Sequence, residues 1–357
     1  MLYIGISNFD SLWSDLPWIM KWNILFSLVF LALAISFFAV IIWIRIYKNI
    51  RNEKKKKQQE LLIDFLNSFL FDEDFDKESQ IEYFKKEHLK SSLEIKVTIK
   101  EILHFHENLK GESARELEFL FRKLGLVDFI LIDLNKGSWY TTARAINALS
   151  ELGIEVPDHK IEVYLNESRN EVRQQSQLYF LKLAEENPLA FLNKTVRPLT
   201  TWQQIYIENA LKNFYKGTPP DFSQWLEHDL SSVVEFSIRM IARYNQFEHI
   251  EKLLPYIKHH NDIIKWEAIN SLVSLEYTEL LEIIIPDFMN NSKLIKLQIL
   301  EAVKLLGSYE DLKRIGDQIE TTDWELRIKY LNIEQDFLPD KKERIYSQFM
   351  LEKQFSI

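Results

Sequence analysis

Cysteine is absent from the 357 residues, and only 8 glycines and 9 prolines are present. The first absence excludes disulfides, Cys-ligated zinc, iron–sulfur clusters and thiol nucleophiles, and it suits a reducing compartment. The scarcity of glycine and proline withholds the frequent turns that an all-β chain needs, which favours helix. Scattered glycines build no GxGxxG or Walker-type phosphate loop. Neither HExxH nor GxSxG occurs. What remains is a folding composition, 46% apolar and 27% charged with a net charge of −9, long enough for two or three domains.

Residues 24–44 (ILFSLVFLALAISFFAVIIWI) carry no charge over 21 positions. A helix of that length spans ~32 Å, against a hydrocarbon core of ~30 Å. Trp22 and Trp43 stand where interfacial aromatics belong, and Ser27 and Ser36 can bond back to the helix backbone. A cleaved secretory signal would have a shorter apolar core, of roughly 7–15 residues, behind a basic start. Here Asp10 and Asp15 precede it with only Lys21. The expectation is a transmembrane helix over 24–44.

Arg45, Lys48, Arg51, Lys54, Lys55, Lys56 and Lys57 follow the apolar run, opposed only by Glu53. The positive-inside rule then puts a short segment, 1–23, outside and the remainder in the cytoplasm, in a single-pass cell (inner) membrane protein. The seven cations read as contacts to anionic lipid headgroups of the bilayer. Of the 44 basic and 53 acidic residues, eight and three lie before residue 58, leaving 36 and 50, a net of −14. Such a body repels phosphate backbones, so nucleic acid is not an expected partner.

From residue 139 onward a helix start recurs, anchored by Trp139, Val172, Trp202, Val233, Ile264, Ile295 and Trp324, at spacings of 33, 30, 31, 31, 31 and 29. Four of the seven i+4 positions are small, and the apolar stripe continues at i+7 or i+8. Ser168 with Glu171, Thr201 with Gln204 and Thr322 with Glu325 have capping-box spacing. Between these helices lie the shorter apolar stretches 158–165, 190–196, 222–226, 249–257, 279–288 and 311–319, each long enough for two or three turns. Every unit reads as a helix pair that buries its faces only by stacking on its neighbours. Ahead of the stack, 45–110 reads as a basic juxtamembrane segment and helical connector, with helices over 60–71 and 80–106 around the acidic loop 72–77. Residues 113–124 begin the stack. Gly125, Gly153 and Gly307 read as C-caps. Residues 129–134 (FILIDL) fit a short helix or a buried strand.

Residues 253–272 (LLPYIKHHNDIIKWEAINSL) resemble a HEAT repeat. Pro255 lies in the first helix, Asn261-Asp262 in the turn, and Ile264-Lys265 with Ala268 in the places of that family's Val-Arg and Ala. Residues 284–303 repeat it with Pro286 and Ile295-Lys296, and Val172-Arg173 matches the same element. The short unit is similar to the phycobilisome-lyase-like subclass. The resemblance covers roughly 110–338. Glu325, Gln203, Val234 and Tyr140 depart from the basic position, and Tyr206 is large where alanine is expected. It implies an all-α, HEAT-like α-solenoid over 111–357, preceded by one transmembrane helix. It also implies that Arg173, Lys265 and Lys296 either pair with acids in a neighbouring repeat or form a ladder gripping an acidic partner.

No catalytic, cofactor-binding or metal-binding residue stands out. His104 and His106 are two apart and point to different sides of a helix; His259-His260 falls in a turn. Among HEAT-like enzymes, deoxyhypusine hydroxylases need several His-Glu pairs, and only His106-Glu107 occurs. Repeat-type glycosylases need a basic groove. Trp139, Trp202, Trp266 and Trp324 read as core knobs. The expectation is a non-enzymatic membrane scaffold that holds a protein partner, without cofactor or metal. The alternatives are a membrane-tethered enzyme with its site between connector and solenoid, and lipid or small-signal binding by the basic segment.

Overall fold

The computed structural model describes residues 17–184, 186–316, 318–319 and 323–338. Residues 1–16 of the segment expected outside the membrane, Thr322 and residues 339–357 lie outside them. All regular structure among the described residues is helical. The helices of eleven or more residues are α1 (Trp18–Phe71), α2 (Lys77–His88), α3 (Ser92–Asn108), α4 (Glu112–Lys123), α5 (Leu126–Lys136), α6 (Trp139–Glu151), α7 (Asn170–Leu183), α8 (Thr201–Phe214), α9 (Ser231–Arg243), α10 (Asp262–Ser274), α11 (Lys293–Leu306) and α12 (Trp324–Phe337). The chain divides into two compact units, with the boundary after Phe129.

The first unit is organised by α1. Neither proline nor glycine interrupts it after Pro17, so 54 residues run as one helix, ~80 Å long. It joins the apolar run, the cations and the expected 60–71 helix without a break. Its buried positions, Gln58, Leu62, Leu66 and Phe69, begin only past the cations and step by three or four. Phe65, Phe69, Phe75 and Phe84 form an aromatic cluster, with Phe65 and Phe84 4.5 Å apart. The Gln58 amide donates to the His88 carbonyl at 3.0 Å and to Thr98 Oγ1 at 3.3 Å. The expected 80–106 helix is two helices: Ser91 starts α3 with a full capping box to Glu94, which ends the preceding turn. Residues 129–134 lie in α5 and are helical.

The second unit is repeat-like. From α6 to α12 the helix starts fall at 139, 170, 201, 231, 262, 293 and 324, every 30 or 31 residues. Each helix packs on the next in sequence, and α8 reaches α9 through Arg239–Gln204 and Arg243–Glu208. The helices are parallel and in register. Lys182 near the end of α7 meets Glu151 at the end of α6 at 2.7 Å, and Lys293 opening α11 meets Asp323 and Glu325 flanking the start of α12. Loops are laced one repeat apart: Tyr164 to the Leu134 carbonyl, Trp225 Nε1 to Asn193 Oδ1 and Tyr256 to the Leu226 carbonyl span 30, 32 and 30 residues. One continuous core runs from Leu165 to Ile333.

Several expectations are corrected here. The second member of each unit is mostly one turn, such as His159–Glu162, Ala190–Lys194, Phe222–Trp225 or Leu280–Ile284. Pro157, Pro188, Pro219-Pro220 and Pro286 flank these segments and prevent longer helices. The cap of α8 is Thr200 with Gln203, one residue ahead of the expected pair. Ser168 bonds the Glu167 carboxylate and caps nothing, and Asp323 caps α12. Gly125 and Gly153 adopt left-handed φ, and Gly307 caps α11 as expected but in extended backbone; Asn245 and Glu276 are the left-handed residues after α9 and α10. Thr200→Ala is expected to lower stability by about 1 kcal/mol, and Thr201→Ala by much less, measured by urea denaturation.

Candidate functional site

The seven cations all lie on α1, over ~18 Å of its axis and around its whole circumference. Lys55 is half-buried and the other six are exposed. Lys56 makes a long pair, 3.8 Å, with Glu60.

Arg173, Lys265 and Lys296 occupy the same fourth position of α7, α10 and α11, and each faces a different partner. Arg173 is 6% exposed and donates to the carbonyls of Glu167 (2.6 Å) and Ser168 (3.0 Å) and to Asn170 Oδ1. Burial, with help from Arg197, pulls its pKa down. Lys265 bonds Asn291 Oδ1 in the following loop. Lys296 lies over the Phe288 ring at 5.8 Å.

Pairing between neighbouring repeats is carried instead by residues that the sequence reading passed over. Lys182–Glu151, Arg239–Glu267, Arg243–Glu208, Lys329–Glu301 and Lys304–Asp336 each tie one helix to its neighbour. The available signal was opposite charge at one-repeat separation, which is readable only after the helix starts are fixed. The deepest pair is Arg239–Glu267 at 3.2 Å, with Glu267 3% exposed. Arg239 also donates to Gln204 Oε1 and reaches Glu235 at 3.5 Å. Burial outweighs the attraction of Arg239 and raises the Glu267 pKa to about 7. Its Oε1 finds no hydrogen-bond partner, as fits a carboxyl poised to carry a proton.

The tryptophans at the helix starts are not core knobs. Trp202 is 81% and Trp324 64% exposed, Trp139 is also exposed, and Trp266 is half-buried, while the fully buried tryptophan among the described residues is Trp225. Counted from the true helix starts, the buried anchor of α8 is Gln203 and that of α12 is Leu326. Tryptophan sits one or two positions earlier, where the side chain leaves the layer.

The histidines are dispersed. His104 is exposed, and His106 is half-buried against Glu118 at 3.3 Å. His249 binds Asp221 at 2.8 Å. The His259 and His260 rings lie 4.2 Å apart at a tilt of 31°, and burial followed by the neighbouring His260 lowers the His259 pKa. Among the described residues no three His, Asp or Glu side chains converge as a metal site. A small cleft of about 10 Å³, room for about one water, opens at the N-terminal edge of α10 and α11. Ile257, Ile269, Ile284, Ile295 and Ile299 form its apolar wall, and Lys258, Lys265, Asp287 and Asn291 are its polar lining.

No family model and no curated protein matches the sequence. Among solved structures, one engineered protein aligns at 13% identity over 75% of this chain and 97% of its own, with a TM-score of 0.22. A second aligns at 14% over 86% and 88%, with a TM-score of 0.28. The all-α, repeat-like assignment therefore rests on the helix register and lacing described above.

Because the folded Glu267 pKa lies above its unfolded value, its stabilising contribution is complete below about pH 4.5 and is lost as pH rises through about 7. Urea denaturation at pH 5 and pH 8 is expected to show a loss of ~2–3 kcal/mol attributable to this group. Glu267→Gln is expected to abolish that part of the pH dependence.

Proposed function

We propose that the protein is a single-pass membrane scaffold, whose HEAT-like solenoid holds a protein partner on the cytoplasmic side of the cell membrane. The observation that carries this reading is the first part of α1. Its most apolar 18-residue window has a mean hydropathy of 2.9, and none of the described residues buries it. Burying one large apolar side chain contributes roughly 1.5–3 kcal/mol, so a run this long is stable against lipid and not in water. The scaffold assignment draws on the repeat-like second unit, since stacked repeats present extended binding surfaces. Orientation draws on the excess of cations after residue 44.

The uninterrupted helix grades the seven lipid contacts. With Ile44 at the hydrocarbon edge, Arg45, Lys48 and Arg51 lie within ~10 Å of it along the axis, and Lys54 to Lys57 at ~15–20 Å. The headgroup layer adds about 5–8 Å per leaflet, and screening in water has a length of ~8 Å. The first three cations therefore reach phosphates, and the four lysines stand mainly in water.

Two measurements test the proposal. The intact protein should remain in the membrane pellet through high salt and alkaline carbonate, and release by either would remove the anchor. Cross-linking in the native membrane should then recover a protein in fixed ratio to this chain. Recovery of chaperones alone would contradict the scaffold role.

A further inference from the structure

The turns of α1 just beyond the apolar run are two-sided. Trp43, Ile46, Tyr47 and Ile50 follow one another at steps of three, one and three, which places them on one face of the uninterrupted helix. Each is more than half exposed, and the Trp43 and Tyr47 rings stack at 6.0 Å along that face. At ~100° per residue, Arg45 and Lys48 lie about 150° round the helix from the centre of this stripe, and Arg51 about 90°. The stripe ends one turn on, where Lys54 and Lys57 take its positions.

An upright helix gives this stripe no suitable surroundings. With Ile44 at the hydrocarbon edge, Ile50 would stand ~9 Å beyond it, outside a headgroup layer of about 5–8 Å. None of the described residues buries it, so a branched aliphatic side chain would face water while Lys48 lay nearer the lipid. Tilt reverses that order. Transmembrane helices lean by about 20° on average, and side chains reach ~5–6 Å from the axis. A lean of ~20–30° toward the stripe brings Ile50 ~1–3 Å closer to the hydrocarbon than Lys48, although Ile50 is two residues farther along. Arg45 and Lys48 are then lifted to the level of the phosphates.

The first unit is placed to allow this lean. Its core joins α1 through Gln58, Leu62, Leu66 and Phe69, centred about 100° round the helix from the stripe. A core on the stripe's own side would be pressed into the headgroups. At this angle it clears them.

We infer that α1 leaves the membrane obliquely, and that Trp43, Ile46, Tyr47 and Ile50 form a lipid-binding stripe seated in the cytoplasmic headgroup layer. The occupant is lipid because the stripe continues the apolar surface of the span, carries the Trp and Tyr that favour interfaces, and is opposed by cations at phosphate height. The inference rests on the membrane reading of α1 and specifies which side of the helix faces the leaflet.

The test uses the full-length protein in vesicles of phosphatidylcholine and phosphatidylserine, with a nitroxide at one introduced cysteine. Collisions with oxygen and with a water-soluble nickel chelate give the depth of each label. The stripe predicts that Ile50→Cys lies ~1–3 Å deeper than Lys48→Cys, with high oxygen access, where an upright helix puts it ~3 Å shallower. Arg45→Cys and Ile46→Cys repeat the comparison with Lys48 and Ile50 intact: residue 46 is expected ~2–3 Å deeper than residue 45. Depth that falls steadily from 45 to 50 would overturn the stripe. So would low access to both oxygen and nickel at 46 and 50, which marks a covering protein, or spin–spin broadening there, which marks a second copy. A lipid-embedded label at Ala34→Cys beside a steady 45–50 gradient leaves the anchor standing; water-like access at residue 34 removes both readings.

Discussion

An apolar helix surface that none of the described residues covers is the constraint on which everything else depends. From Trp18 to Ile50, α1 exposes isoleucine, leucine, phenylalanine, valine and tryptophan on every side. Water does not tolerate such a surface, and a helix with all its backbone hydrogen bonds internal is what a bilayer accepts. The same helix then changes character. Beyond the cations its apolar residues contract to one stripe, which forms the core of the first unit. A single helix thus has two surfaces, one apolar and uncovered and one packed in the first unit, and the cations lie between them.

The second unit solves a different problem. A helix of 13 or 14 residues is marginal alone, and proline-limited single turns give it little to pack on within its own repeat. Stability must come from the next helix, through the continuous core and the polar contacts laid one repeat apart. Glu267 shows what this arrangement tolerates: a carboxyl held among helices with one oxygen unpartnered, bound to an arginine that also bridges α8. Replacing such a network by apolar packing is often neutral or stabilising. What it contributes is a fixed alignment of α8, α9 and α10.

Much of this organisation is legible in the sequence, for identifiable reasons. The long apolar N-terminal helix is visible because its length and lack of charge alone define it. The 31-residue period is visible because the buried third positions Val172, Val233, Ile264 and Ile295 are all β-branched and apolar. The period blurs at Trp139, Trp202 and Trp324, since bulk is a poor guide to burial at a helix start, where a side chain can point off the layer. The register of α8 shifted by one because Thr200 and Thr201 both satisfy the cap pattern. Gly307 does cap α11, though in extended and not left-handed backbone. A Cβ there would meet the Val303 carbonyl at 2.8 Å, so the position needs room and not left-handed φ. Glu276, with no sequence mark, takes that conformation. The cleft was only half legible. Lys265 stood out by its place in the repeat, but its neighbours Lys258, at the end of a short 3-10 helix, and Asp287 and Asn291, in loops, approach in a way no periodicity encodes.

The absence of cysteine gives direct access to the central claim. A nitroxide can be placed at a single introduced cysteine, Ala34→Cys, Arg45→Cys or Lys56→Cys, in otherwise native protein reconstituted into a bilayer. Its collisions with oxygen and with a water-soluble nickel chelate then report its depth. Embedding of α1 predicts the highest oxygen and lowest nickel accessibility at residue 34, intermediate values at 45, and water-like values at 56. Equal, water-like accessibility at all three positions would contradict it.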